Sequence, residues 1–108
     1  MSSLSNYLRT HRKRLALSQE EVAFLLGVNG MKKGIKVSWD ENSAREPSLE
    51  IALAYEAIYG KPVRELFAGL YEQAERKVAE RAKLLSFRIT RKPKLKEVLT
   101  NLVSKITT

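Results

Sequence analysis

The sequence predicts an all-α protein, and three observations carry that expectation. Apolar residues recur at offsets of three, four and seven along most of the chain; Ser or Pro precedes the periodic stretches and Gly follows them; and alternation of period two is confined to a short stretch around Phe87 and Ile89. Leu4, Leu8 and Leu15 form one stripe of a first helix, with Arg9, Arg12, Lys13 and Arg14 over the rest of its surface. Ser18 with Glu21 three residues later is a capping box, in which the hydroxyl and the carboxylate satisfy free backbone N–H groups at a helix start. Val22, Ala23, Leu25 and Leu26 then form the apolar face of a short second helix, which Gly27 ends.

The segment from Val28 to Asn42 predicts a turn and then a third helix from about Lys33, with Gly30 and Gly34 weakening helical structure. Pro47 and Ser48 mark the next boundary. Leu49, Ile51, Ala52, Tyr55 and Ile58 form a fourth helix closed by Gly60. Pro62 opens a fifth, where Val63, Leu66, Phe67, Leu70 and Ala74 repeat at three and four, and which can extend as far as Leu85. Ser86 to Lys94 reads as a linker or a short strand. Leu95, Val98, Leu99, Leu102, Val103 and Ile106 then make a near-complete stripe on a sixth, amphipathic helix.

Composition narrows the function classes. The 108 residues suit one core with a short accessory segment, and 44% apolar with 30% charged residues is the balance of a soluble globular chain. There is no Cys, which excludes disulfides, thiolate metal sites and cysteine nucleophiles. No signal-like or membrane-spanning run occurs, so the expected location is the cytoplasm, in association with the nucleoid. The net charge of +8 points to polyanionic partners, and its placement is uneven: residues 1–75 hold ten basic and ten acidic side chains, and residues 76–108 ten and two. The expected organisation is therefore a domain over 1–75 and a basic extension over 76–108. His11, alone and without clustered carboxylates, makes no metal site. No nucleophile-base set or glycine-rich phosphate loop can be picked out, so neither catalysis nor a cofactor is expected.

Two short helices joined by a turn, early in a helical domain, are the layout of a DNA-binding helix-turn-helix. In that layout the second helix directs its N-terminus at the phosphate backbone, where Gln19 can donate to a phosphate oxygen. The third helix enters the major groove, about 12 Å wide, where Lys32, Lys33 and Lys36 can reach phosphates or guanine edges and Ser38 can contact either.

The run from Leu4 to Leu70, with LSNYLRTHRKRLALSQEEVAFLLGV, then VSWDEN and PSLEIALAYEAIYGKPVRELF, resembles the xenobiotic-response-element-like (Cro/C1-type) transcriptional regulators of bacteria and phages. The resemblance implies a five-helix repressor-like DNA-binding domain, here followed by a C-terminal amphipathic helix, and a homodimer on palindromic double-stranded DNA. It makes Gln19 the phosphate-contacting glutamine and matches Lys36, Ser38 and Trp39 to the groove-facing helix. Asn42 and Arg45 follow, where the family tends to touch phosphate, and Asn29 in the turn completes the candidate set. The chain departs from the family in one place. Gly27 to Val37 takes ten steps where the family takes six or seven, so about three residues are inserted, and Asp40 stands where an aromatic usually packs. Trp39 is open to two roles, core anchor or groove contact.

The last helix has three candidate roles: packing on its own chain, pairing with a second subunit through Leu95, Val98, Leu99, Leu102 and Ile106, or lying on a membrane. Its polar face of Thr100, Asn101 and Ser104 disfavours the membrane, and dimerisation or partner binding ranks first. An alternative to a DNA-binding repressor is a protein-interaction module, such as an antitoxin or adaptor, with DNA secondary.

Overall fold

In a computed structural model, residues 6–28, 34–88 and 93–107 are described, and all regular structure among them is helical. The elements are α1 (Leu8–Arg14), α2 (Gln19–Leu26), α3 (Ile35–Glu41), α4 (Leu49–Tyr59), α5 (Val63–Leu66), α6 (Ala68–Arg88) and α7 (Pro93–Thr107). The chain divides into two compact units, Met1–Leu70 and Tyr71–Thr108. No helix among the described residues is long and apolar enough to cross a membrane.

The first unit is built by local signals that set helix ends. Asn6 starts α1 by accepting the Leu8 N–H on Oδ1 at 3.2 Å. Ser18 and Glu21 close the expected capping box: the Glu21 N–H donates to Ser18 Oγ at 3.0 Å, and the Ser18 N–H to Glu21 Oε1 at 2.8 Å. Gly27 leaves α2 at φ +71 and Gly60 leaves α4 at φ +67, the left-handed conformation that glycine adopts without a Cβ penalty. Ser48 caps α4 by accepting the Ile51 N–H. At the far end of α4, Arg14 Nη2 donates to the Tyr59 carbonyl at 3.2 Å, a cation on the negative end of a helix.

The core of this unit comprises Leu8, Val22, Ala23, Val37, Ala52, Tyr55, Tyr59, Leu66 and Phe67, with Leu17, Leu26, Ile51, Ile58 and Val63 against it. Thus α1, α2, α3 and α4 pack on one another, and α5 closes against α4. Four expected core faces are narrower than their periodicity: Leu15 just past α1, Leu25 on α2, Leu49 on α4, and Leu70 with Ala74 on α6 are exposed, because each helix buries one arc and these residues lie outside it. Leu4 lies outside the described residues.

The expected fifth helix is two helices. Phe67, at φ −114 and ψ 47, interrupts it after Leu66, and α6 begins at Ala68. The interruption sets the Phe67 ring edge-on to Tyr55, with centroids 6.2 Å apart. It also frees the Leu66 carbonyl, which accepts the Tyr7 N–H at 2.8 Å and so ties the start of α1 to α5.

In the second unit α6 continues to Arg88, so Ser86 to Arg88 are helical where a linker or strand was expected, and Pro93 opens α7 at its first position, where it needs no N–H partner. Ile89 lies outside the described residues. The buried residues described in this unit are Ala79 and Ala82 on α6 and Leu99 on α7.

Candidate nucleic-acid interface

The third helix starts later than expected, at Ile35, because Gly34 is its N-cap rather than a weak point inside it. Gly34 is left-handed at φ +78, and a Cβ there would stand 3.0 Å from Gln19 Cβ and 3.1 Å from both the Gln19 carbonyl carbon and the Glu20 nitrogen. Only a residue without a side chain lets the start of α3 rest directly on the first turn of α2.

At its other end α3 is held by charge. Arg12 Nε donates to Glu41 Oε2 at 2.6 Å and Arg12 Nη2 to Oε1 at 3.3 Å, while Gln19 Nε2 donates to the same Oε1 at 3.1 Å. The Glu41 side chain is almost wholly buried. Hydrogen bonding to Glu41 holds the Arg12 guanidinium still more firmly protonated than an ordinary arginine. Arg12 Nη1 also donates to the Leu17 carbonyl at 3.0 Å, fixing the turn between α1 and α2 on the same cation.

Asp40, next along, is buried as well, at 1% exposure. Arg45 meets it with Nε to Oδ1 at 2.6 Å and Nη2 to Oδ2 at 3.2 Å, and the Tyr55 hydroxyl donates to Oδ2 at 2.6 Å. Asn6 Nδ2 donates to the Asp40 carbonyl at 2.9 Å and to Ser43 Oγ at 3.1 Å. Burial first, and then its bond to Asp40, push the Tyr55 phenol well above the ordinary tyrosine range, so it stays a donor. Asp40 is thus a buried acceptor for the hydroxyl of Tyr55, whose ring lies in the core.

At 100° per residue, Val37, Asp40 and Glu41 fall in one arc of α3 and are turned inward. The opposite arc carries Ile35, Lys36, Ser38, Trp39 and Asn42, all partly or fully exposed. Trp39 is 44% exposed and takes no place in the core, which settles its two open roles against the core anchor. Asn42 Nδ2 lies 3.4 Å from Ser38 Oγ, one turn back on that face. Both carboxylates of α3 are therefore compensated by arginines from elsewhere, and its outward arc holds neutral and cationic groups alone.

Lys36, Ser38, Trp39 and Asn42 of the expected set thus share one face, with Gln19 at the start of α2 beside the Gly34 end of it. Gln19 and Arg45 both have structural work, on Glu41 and Asp40. The Gln19 amide nitrogen carries two hydrogens, of which Glu41 takes one. Asn29, Lys32 and Lys33 lie outside the described residues. Of the residues expected to pair subunits, Leu99 is buried within the single chain, Val98 is half exposed, and Leu95, Leu102 and Ile106 lie between. Arg12, Asp40, Glu41, Tyr55 and Asn6 were not in the expected set. Their one sequence signal is an acidic pair in a helix otherwise suited to a polyanion, a conflict that calls for internal cations.

No family model, curated protein or solved structure matches this chain.

Proposed function

We propose that this protein is a sequence-specific DNA-binding transcriptional regulator of the Cro/C1 helix-turn-helix kind, a five-helix repressor-like domain that acts chiefly as a repressor and binds as a homodimer with α3 in the major groove. One observation carries the reading: α3 turns Asp40 and Glu41 inward onto Arg45 and Arg12 and leaves Lys36, Ser38, Trp39 and Asn42 outward. A helix presented to phosphate with two bare carboxylates would be repelled, and the inward pairing removes that obstacle. On such a face Lys36 reaches a phosphate or a guanine edge, Ser38 and Asn42 hydrogen-bond to bases or backbone, and Trp39 packs on a thymine methyl. Gln19, at the start of α2, meets the flanking phosphate. The reading requires no catalysis and no cofactor.

The test is an electrophoretic shift on the DNA upstream of the protein's own gene, with unrelated duplex as competitor. A retarded complex that survives the competitor, and that Lys36→Ala with Trp39→Ala weakens by at least about tenfold without altering the thermal melt, is expected from contacts of about 1 to 3 kcal/mol each. A complex displaced equally by any duplex overturns the reading. Sedimentation gives the oligomeric state, and Val98→Asp, at a half-exposed position of α7, is expected to shift dimer to monomer.

A second reading, a protein-interaction module such as an antitoxin or adaptor, is favoured by Phe24 and Leu25 on α2, the former 84% exposed. Stoichiometric copurification of one protein from the native host, lost in Phe24→Ser, would support it over DNA binding.

A further inference from the structure

The charge surplus does not reside with α2 and α3. Residues 1–70 carry ten basic and eight acidic side chains and residues 71–108 ten and four, so +6 of the net +8 belongs to the second unit. On α6 the buried or half-buried Ala79, Ala82 and Ser86 fall in one arc. Centred opposite are Lys77, Arg81, Leu84 and Arg88, at offsets zero, four, seven and eleven, all exposed. Lys77, Arg81 and Arg88 ion-pair with no carboxylate among the described residues. Phe87 stands exposed at one edge of the stripe, and Val78 and Leu85 flank the other.

We infer that the Lys77, Arg81 and Arg88 stripe of α6 is a second binding surface, sequence-independent, for the phosphate backbone of duplex DNA. The cations lie about 6 and 10.5 Å apart along the helix axis. A duplex presents one negative charge per about 1.7 Å, so the stripe meets phosphates at any register. Counterion release then supplies the driving force without any reading of bases. An acidic membrane surface fits less well. An interfacial helix needs one continuous apolar arc with cations at its borders, whereas here the cations centre the arc with Leu84 among them, and the other exposed apolar residues, Phe87 on one side and Val78 with Leu85 on the other, fall on opposite flanks. The surface is independent of α3: it contributes affinity for any duplex, and α3 would contribute the preference among sequences.

The experiment uses the full chain and a 30-base-pair duplex of arbitrary sequence, titrated by fluorescence anisotropy over a range of salt. Lys77→Gln with Arg81→Gln and Arg88→Gln keeps helix-forming side chains at exposed positions, and an unchanged melt confirms the fold. The expected result is at least about a tenfold loss of affinity at low salt and a salt slope shallower by roughly 2 to 3, given about 0.9 per phosphate. The ratio of operator to arbitrary-duplex affinity separates this surface from α3. A triple variant that keeps both affinity and slope overturns the inference. So does wild-type binding to phosphatidylserine vesicles, lost in the variant, while duplex binding stays unchanged.

Discussion

Arg12 grips Glu41 with two parallel hydrogen bonds, and this pair joins the first helix to the end of the third. Both side chains are largely out of water, so removing one leaves an uncompensated charge in the interior. Breaking a buried pair from one side costs about 3 to 5 kcal/mol. Glu41→Ala is expected to lower stability by about 3 kcal/mol in urea denaturation. Gln19→Ala, which removes one of the three donors to Glu41, is expected to cost about 1 kcal/mol. A Glu41→Ala loss below that of Gln19→Ala would mean that solvent screens the pair.

The two stacked tyrosines of α4 make opposite predictions. The Tyr55 hydroxyl donates to buried Asp40, and a hydrogen bond to a charged group is worth about 1.5 to 3 kcal/mol, so Tyr55→Phe is destabilising by that amount. The Tyr59 hydroxyl is buried with no hydrogen-bond partner among the described residues, so Tyr59→Phe is neutral or stabilising. Equal losses in thermal melts of the two variants would contradict the assignment.

Gly34→Ala meets two obstacles, a left-handed backbone and a Cβ pressed against Gln19 and Glu20. Gly27→Ala meets the first alone, because open space surrounds that position. The left-handed penalty is about 1 to 2 kcal/mol, so Gly27→Ala should fall in that range and Gly34→Ala clearly above it. In the same logic Ala16, a non-glycine at φ +58, predicts that Ala16→Gly stabilises the fold by up to about 1 kcal/mol.

Acid weakens the start of α2. The backbone N–H of Ser18, and then its hydroxyl, hold the Glu21 carboxyl below its usual value of 4.5. A lowered acid contributes stability that is complete above its unfolded value and is lost as pH falls through the folded one. The expected outcome is a melting temperature that drops below about pH 4.5 more steeply in the wild type than in Glu21→Gln, which has no carboxylate to protonate. Parallel profiles would remove Glu21 from the acid response.

The helix ends were legible because their causes are local. Ser18 with Glu21, Gly27, Ser48 and Gly60 act within four residues of themselves, and each ends or starts a helix where its type predicts. What was not legible depends on partners distant in sequence. Glu41 finds Arg12 across 29 residues and Asp40 finds Tyr55 across 15, so no spacing pattern announces either pair. Gly34 has the composition of a helix breaker, and its close approach to α2 exists in three dimensions alone. The interruption at Phe67 was hidden for a related reason: the three-four rhythm continues through it, and the Leu66 carbonyl is drawn away by Tyr7 from the opposite end of the unit.

The charged anchors of α3, Asp40 and Glu41, lie on its inward arc, and none of its solvent-side positions belongs to the core. Under the proposed reading, Ser38, Trp39 and Asn42 sit on a mount that they do not themselves build, so a change of binding preference at these positions carries little penalty to folding. Asp40, Arg45 and Tyr55, by contrast, can change only in concert.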